Sequence, residues 1–338
     1  MATVFAKIQE LEEVVQLSKH EQLVNGIINA IDEKIVVQGS MLPSVNMMVK
    51  ELGFANRTIA KAYKELKERG IVESKNRLGY FVLNEDTEQN AKVALLMYAF
   101  HPFQEVFYNS FRSALGDNVQ LDVFFHHSNM DVFENMLHNI KGRYGVYVIT
   151  PIPHPRTKKL LQDIPENKLL IVDRFEPISK SLSHVTQEFE ISTYMALKEL
   201  LPTIKKFNEI ILCFLSNADY PLEILSAFNK FIKDYKIKGK VVNSYAPNSL
   251  KKGQVYFTIG DGDLWRILKE CIEKKFEIGK DIGVFSSNDS AVKEFVCGGV
   301  TTLSTDFEIM AQRAAEFVLN RAQIQTVIPT VLKRRKSL

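Results

Sequence analysis

From Lys50 to Arg77 the chain carries eight lysines or arginines against four acidic residues, a local excess inside a 338-residue chain whose formal net charge is only +3. Within that stretch Ile59, Ala62, Tyr63 and Leu66 recur at i, i+3, i+4 and i+7, the spacing of one buried helical face. At about 100° per residue, Arg57, Lys61 and Lys64 then project from the opposite face, with Arg57 and Thr58 in the first turn. A guanidinium and two ammonium groups in that arrangement do one kind of chemistry well. They neutralise phosphates and reach base edges in a major groove. Lys75 and Arg77 lie a short distance on, where a turn would bring them to phosphates or a minor groove.

Those side chains need a scaffold, and the flanking residues supply one. Val24, Ile27, Ile28 and Ile31 form a first helical stripe, and Val45, Met48, Val49 and Leu52 a second. Ser18 with Glu21 makes a capping box for the first helix. Gly39 and Pro43 break the chain before the second, Ser44 is placed to cap it, and Gly53 stops it. Asn56 is expected to cap the third helix and Gly70 to end it. Then 71–74 and 80–83, around a turn holding Asn76 and Gly79, read as a β-hairpin. Three helices and a hairpin within about 65 residues make a winged helix-turn-helix.

The positions from Gly39 to Ser44, Leu52-Gly53, Arg57 to Tyr63, Leu66, Gly70 to Glu73 and Gly79 to Val82 together resemble the DNA-binding domain of the GntR family of bacterial transcription regulators. The resemblance covers roughly His20 to Val82. It implies that Ser44, Asn46, Ala55, Asn56, Arg57, Thr58 and Ala60 fall where family members contact DNA. With the basic face and wing, the expected DNA-binding set is Ser44, Asn46, Asn56, Arg57, Thr58, Lys61, Lys64, Lys75 and Arg77. Asn46 and Ala60 stand where many members carry arginine, and Leu78 precedes Gly79 where a glycine is frequent, so the operator does not follow from family habit.

Asn84 to Asn90 is a run of seven polar residues, which reads as a solvated linker. The expected division is a head over 1–83, a linker over 84–91 and a body over 92–338. In the body, apolar runs at 93–98, 121–125, 146–150, 169–172, 210–215, 240–243, 255–259 and 282–285 alternate with amphipathic stretches such as 106–115, 191–204, 222–235 and 264–274. Near-continuous apolar strands separated by helices predict parallel sheets covered on both faces, in two lobes. The break between lobes is expected after Asp173, in 176–184. Ligands in such sheets bind beyond the carboxyl ends of the strands. There the sequence places Phe100, His101 and Phe103; His126 and His127; Pro151, Pro153 and His154; Asp173 and Arg174; Ser216 and Asn217; Asp261 and Asp263; and Ser286, Ser287, Asn288 and Asp289. Aromatic faces beside amides, carboxylates and an arginine suit a polyhydroxylated small molecule.

Leu170 to Arg174, Lys280 to Ser290, and Val300 to Asp306 followed by a helix with Met310, Ala314 and Ala315 resemble the effector domain of lac-repressor-type regulators, whose fold is shared with periplasmic sugar-binding proteins. From the strand-end residues the expected effector set is Phe100, His101, Phe103, Asp173, Arg174, Asp261, Asn288 and Asp289. The resemblance implies that Asn288, with Asp289 beside it, matches an acidic ligand contact of that family and that Asp261 lies in or near the segment supplying another polar contact. Ile224 stands in the segment where many sugar-responsive relatives have a ligand-gripping arginine. The combination of halves is similar to arabinose-responsive regulators. It implies a homodimer that places two heads on a near-palindromic operator, with a monosaccharide or derivative as effector, acting as a repressor.

Other classes fit less well. Composition is ordinary for a globular chain, 46% hydrophobic and 25% charged. No apolar run approaches the ~18 residues of a spanning helix. Glu10, Glu12 and Glu13 occupy the place of a signal peptide's basic and apolar stretch, so a cytoplasmic protein without membrane partners is expected. Cys213, Cys271 and Cys297 read as reduced core cysteines. Gly260-Asp261-Gly262 begins like a dinucleotide fingerprint, but Trp265 takes the third glycine position. His126, His127 and His138 match no common metal spacing. Neither a cofactor nor catalysis is expected. The alternative is a cytoplasmic small-molecule-binding protein, or an α/β enzyme, with an accessory DNA-binding head; the tetrad Lys333 to Lys336 is expected to be a frayed, solvated tail.

Overall fold

The computed structural model describes residues 3–12, 17–85, 87, 92–117, 119–140, 143–175, 177–216 and 220–338. Most of the expected linker, with Asn217 and Glu176, lies outside them. The head contains α1 (Val4–Gln9), α2 (Lys19–Asp32), α3 (Val45–Leu52), α4 (Asn56–Glu68), β1 (Val72–Lys75) and β2 (Gly79–Val82). Ser18 and Glu21 form the capping box of α2, and Gly53 ends α3 at a left-handed φ of 67°. The sequence reading did not anticipate α1. Its Val4 and Ile8 bury against α2, and Gly26 permits the approach, because a Cβ there would sit 2.5 Å from Ile8 Cγ1. At the centre Tyr63 of α4 stacks on Tyr80 of β2 with ring centroids 4.0 Å apart. Its hydroxyl donates to the Pro43 carbonyl, so one side chain ties α4, the wing and the turn before α3 together.

The body begins with β3 (Lys92–Met97), α5 (Pro102–Leu115), β4 (Gln120–Phe125), α6 (Met130–Ile140), β5 (Val146–Ile149), α7 (Pro155–Gln162), β6 (Leu169–Asp173) and β7 (Ser183–Gln187). It continues through α8 (Glu190–Ile204), β8 (Glu209–Cys213), α9 (Leu222–Asp234), β9 (Gly239–Val242), β10 (Gln254–Thr258), α10 (Asp261–Glu273), β11 (Ile282–Ser287), α11 (Ala291–Phe295) and β12 (Thr301–Thr305). It closes with α12 (Phe307–Asn320), β13 (Gln325–Ile328) and β14 (Thr330–Lys333). Two six-stranded sheets result. The first lobe has the order β13-β7-β6-β5-β3-β4, all parallel; the second has β14-β12-β11-β10-β8-β9. In the second lobe β14 alone runs antiparallel to its neighbour. The two-lobed parallel-sheet body and the winged head are the fold class that the residue pattern implied, and all eight apolar runs are strands.

Three readings need correction. The lobes do not part in 176–184, because Ser183–Gln187 is a strand of the first lobe, paired with β6 and β13. Its Val185 is the only large apolar residue, so alternation gave no signal there. The tail is not frayed. Residues 330–333 extend the second sheet, Ser337 is fully buried, and Arg335 is hydrogen-bonded inside the lobe. Cys213 and Cys271 are buried, but Cys297 is exposed, in a left-handed conformation at φ 53°.

The chain crosses between lobes after β7, after β12 and after β13. The three crossings are bonded to one another. Thr305 Oγ1 donates to Gln187 Oε1 at 2.7 Å and lies 2.8 Å from the Thr330 hydroxyl, which is 3.1 Å from the Glu188 carbonyl oxygen.

Candidate functional site

On the head, the Ser44 hydroxyl caps α3 by accepting from the Met47 N–H at 3.2 Å, and Asn46 is exposed in that helix's first turn. Asn56 does not cap α4. Ala55 holds the cap position and Asn56 is the first helical residue, because left-handed Gly53 and buried Phe54 bring the chain into the helix one residue early. The first turn of α4 therefore has no side-chain cap. Arg57, Lys61 and Lys64 are exposed and Thr58 is half-buried, opposite the buried Ile59, Ala62, Tyr63 and Leu66. Further along, charges are already paired: Arg69 with Glu65, and Lys64 with Glu68 at 3.7 Å. Arg57 and Lys61 make no ion pair or hydrogen bond among the described residues, so their charge is fully available at the exposed end of the helix. On the wing, Lys75 sits 3.1 Å from Glu73 and 4.8 Å from the Phe81 ring centre, and Arg77 lies at the tip with φ 61°.

In the body, the carboxyl ends of both sheets face a cleft of about 470 Å³ between the lobes. Seven of the eight expected effector residues line it: His101, Phe103, Asp173, Arg174, Asp261, Asn288 and Asp289. Phe100 does not. It is 52% exposed and packs edge-on against Phe125 and Tyr108, because Pro102 starts α5 immediately after His101 and only the helix's first turn enters the cleft. Phe103 packs on Phe307 at 4.9 Å, forming an apolar wall. Ile224 lines the opposite side and belongs to the core of the second lobe, so that position adds apolar surface rather than a charged grip.

Polar groups are held from behind. Asp173, at the end of β6 with φ 71°, accepts from Gln187 Nε2. Asp261, at the start of α10, lies 2.6 Å from Lys293 Nζ. Lys293 is only 1% exposed, and its ammonium also donates to the Ser287 carbonyl at 2.7 Å, the Asn288 carbonyl at 2.6 Å and Ser286 Oγ at 3.1 Å. Burial pulls its pKa below the usual lysine range, and the Asp261 charge works against that shift. Asn288 adopts φ 55° and donates its N–H to the Leu303 carbonyl, which fixes it at the strand end. The Asp289 carboxylate accepts both Arg335 Nη atoms at 2.8 Å and Thr302 Oγ1 at 3.0 Å, with Lys333 Nζ at 3.1 Å. Burial opposes ionisation, but these partners outweigh it and hold the carboxyl down to about 2.

Sequence reasoning missed Lys293, Gln187, Tyr98, Phe189, Tyr220 and Thr330 as lining residues. A lysine on a five-residue helix and a glutamine at the end of a strand without apolar alternation carry no local signal. Gly260 also finds its reason in packing, since a Cβ there would meet the Tyr220 hydroxyl at 2.4 Å. His126 is buried beside the Thr150 carbonyl at 3.0 Å. Among the described residues no group of three or more His, Cys, Asp or Glu is placed to hold a metal ion, and no helix is long and apolar enough to cross a membrane.

In one chain, then, a winged helix-turn-helix is joined to a two-lobed, parallel-sheet body with the fold of the periplasmic-binding-protein type. Comparison with known proteins agrees for each half. Residues 19–82 match the family described as "Bacterial regulatory proteins, gntR family", so the N-terminus is a GntR-type helix-turn-helix. The HTH-type transcriptional regulator Rv1152 of Mycobacterium tuberculosis (strain ATCC 25618 / H37Rv) is 34% identical over 74 residues, which are 22% of this chain and 61% of that protein. For the body, a LacI family transcriptional regulator from Lactobacillus casei with bound glucose superposes with a TM-score of 0.61 at 17% identity, over 73% of this chain and 100% of the other. The trehalose repressor from Escherichia coli gives 0.61 at 14%, over 72% and 99%. At these identities the likeness establishes the shared fold of the body.

Proposed function

We propose that this chain is a cytoplasmic transcription repressor that binds a near-palindromic operator as a homodimer and is released by a small polyhydroxylated effector bound between the lobes. The observation that carries the reading is the coexistence, in one chain, of an exposed basic helix with uncommitted Arg57 and Lys61 and a mostly apolar cleft spanned by a bonded hinge. The first DNA contacts are assigned to Arg57 and Thr58, supported by Ser44, Asn46, Asn56, Lys61 and Lys64, with Lys75 and Arg77 on the flanking backbone. In the cleft, Phe103 covers a C–H face of the effector while Asp173, Arg174, Asp261 and Asn288 take its hydroxyls. Asp289 acts from behind as the anchor of Arg335. The glucose bound by the similar Lactobacillus casei protein supports a sugar, and the resemblance to arabinose-responsive regulators puts arabinose among the candidates.

The test is a thermal-shift screen of the purified chain against hexoses, pentoses including arabinose, sugar phosphates, purines and amino acids. A ligand at about a hundred times its Kd adds roughly 2.7 kcal/mol to the folded state, several degrees of Tm. A sugar hit that is abolished in Asn288→Ala supports the reading. A hit confined to purines or amino acids overturns the effector class.

A further inference from the structure

The head does not hang free of the body. Lys168, in the turn that precedes β6, is only 7% exposed at its side chain, yet among the described residues its ammonium pairs with no carboxylate of its own lobe. It donates instead to Asn29 Oδ1 of α2 at 2.7 Å and lies 3.4 Å from Asp32 Oδ2. Asp32 is in turn bonded through its other oxygen to Thr87 Oγ1 at 2.6 Å, at the exit from the head. A second, looser pair, Arg143 with Glu21 at 3.8 Å, lies along the same face of α2.

Around these contacts the interface is polar and incompletely filled. A cavity of about 340 Å³ separates head from body, lined by Asn25, Asn29, Lys92, Arg143 and Arg321 among others. Polar contacts between domains resemble transient rather than permanent interfaces, and a buried ion pair is weak evidence of net stability. This interface therefore has the character of a contact built to open.

Its position matters. Lys168 immediately precedes the first residue of β6, and the last residue of that strand, Asp173, lines the effector cleft. Five extended residues, roughly 17 Å at about 3.3 Å each, join the two points along one central strand. At the cleft end Asp173 is bonded to Gln187, and Gln187 to Thr305, so this strand is tied to the hinge.

We propose that Lys168 is a latch that docks the head on the first lobe through Asn29 and Asp32, and that β6 links the latch to the hinge. The docking half stands on the contacts alone. The regulatory half rests on the function proposed above. In a dimer, a docked head has a fixed distance to its partner and a released one does not, so the latch sets how well two heads match an operator.

The experiment needs neither effector nor operator. Full-length chain is digested with a glutamate-specific protease, and cleavage at Glu85 or Glu88, which separates head from body, is timed by mass spectrometry. Lys168→Met keeps the aliphatic stem and is expected to speed that cleavage at least tenfold. Asp32→Lys, made on the head side so that the lobe is untouched, does the same. The double variant Lys168→Glu with Asp32→Lys restores the pair and returns the rate to within threefold of wild type. Rates within twofold of wild type for both single variants overturn the latch. Gln187→Ala is expected to alter the rate at least threefold in wild type and to have no effect in the Lys168→Met background. An unchanged rate in Gln187→Ala overturns the link to the hinge while leaving the docking intact, and neither result bears on whether the chain binds DNA or sugar.

Discussion

The Asp289 carboxylate ought to be one of the larger single electrostatic contributions to the second lobe. Its side chain is 12% exposed, it accepts a bidentate pair from Arg335, and its pKa is held from an ordinary 3.8 down to about 2. A displacement of that size is worth about 2 kcal/mol. The sign follows from the direction. A lowered pKa means the folded state favours the ionised group, so the stabilisation is complete above about pH 4 and is lost as pH falls toward 2. Asp289→Asn keeps the shape and removes the charge, leaving Arg335 and Lys333 facing a neutral amide. Trp265, the only tryptophan, lies on α10 and packs against the core of the second lobe, so its fluorescence follows that lobe in urea. At pH 7 the variant should lose about 2 kcal/mol, and the gap should narrow steadily below pH 4. Arg335→Ala should lose a similar amount, and the two losses should not add, since they remove one interaction. No loss at pH 7, or a gap that stays constant down to pH 3, would refute the reasoning.

Other consequences are more local. Tyr63→Phe removes the hydroxyl that satisfies the Pro43 carbonyl, so the head should lose about 1 kcal/mol in thermal unfolding with its fold intact. Arg57→Ala should erase preference between a selected operator duplex and a random one, whereas Lys64→Ala should weaken both equally and flatten the salt dependence by about one unit. Equal preference in wild type and Arg57→Ala would remove that helix from the recognition role. Glu270 accepts from Tyr245, Asn248 and Leu250, pairs with Lys274, and is held down to about 2 despite burial. Glu270→Gln should therefore destabilise the second lobe at pH 7, with urea midpoints showing the difference fade in acid.

In the head, α2, α3 and α4 were legible in the sequence because each carries a periodic apolar stripe and an explicit stop, whereas the six-residue α1 is too short to show either. Ser18 with Glu21, Gly53 and the hairpin around Gly79 act locally, and local devices can be read locally. The exception is instructive. Asn56 has the right chemistry for a cap, but buried Phe54 fixes the helix start, and burial is a tertiary fact. In the body, strands such as 255–259 announce themselves through continuous apolar residues. Ser183–Gln187 and 330–333 do not, since the first holds one large apolar residue between its partners β6 and β13 and the second is a short edge strand held only by β12. The same holds for the cleft. Residues directly after strong strands line it, whereas Gln187 and Thr330 sit at lobe crossings and Lys293 on the short helix after β11, placements that no local pattern encodes. Phe100 follows a strand and is aromatic, yet its ring packs on Tyr108 and Phe125, away from the cleft that its neighbours Tyr98 and His101 line.

In the function proposed above, a molecule in the cleft governs the grip of the head on DNA. The most direct measurement is fluorescence anisotropy of a duplex selected from a random library, titrated with the full chain with and without a saturating concentration of the sugar that gives the largest thermal shift. The expected result is nanomolar binding weakened at least tenfold by the sugar, about 1.4 kcal/mol of coupling, and the same weakening of sugar binding by the duplex, as linkage requires. Identical Kd values with and without a sugar shown to be bound would contradict it.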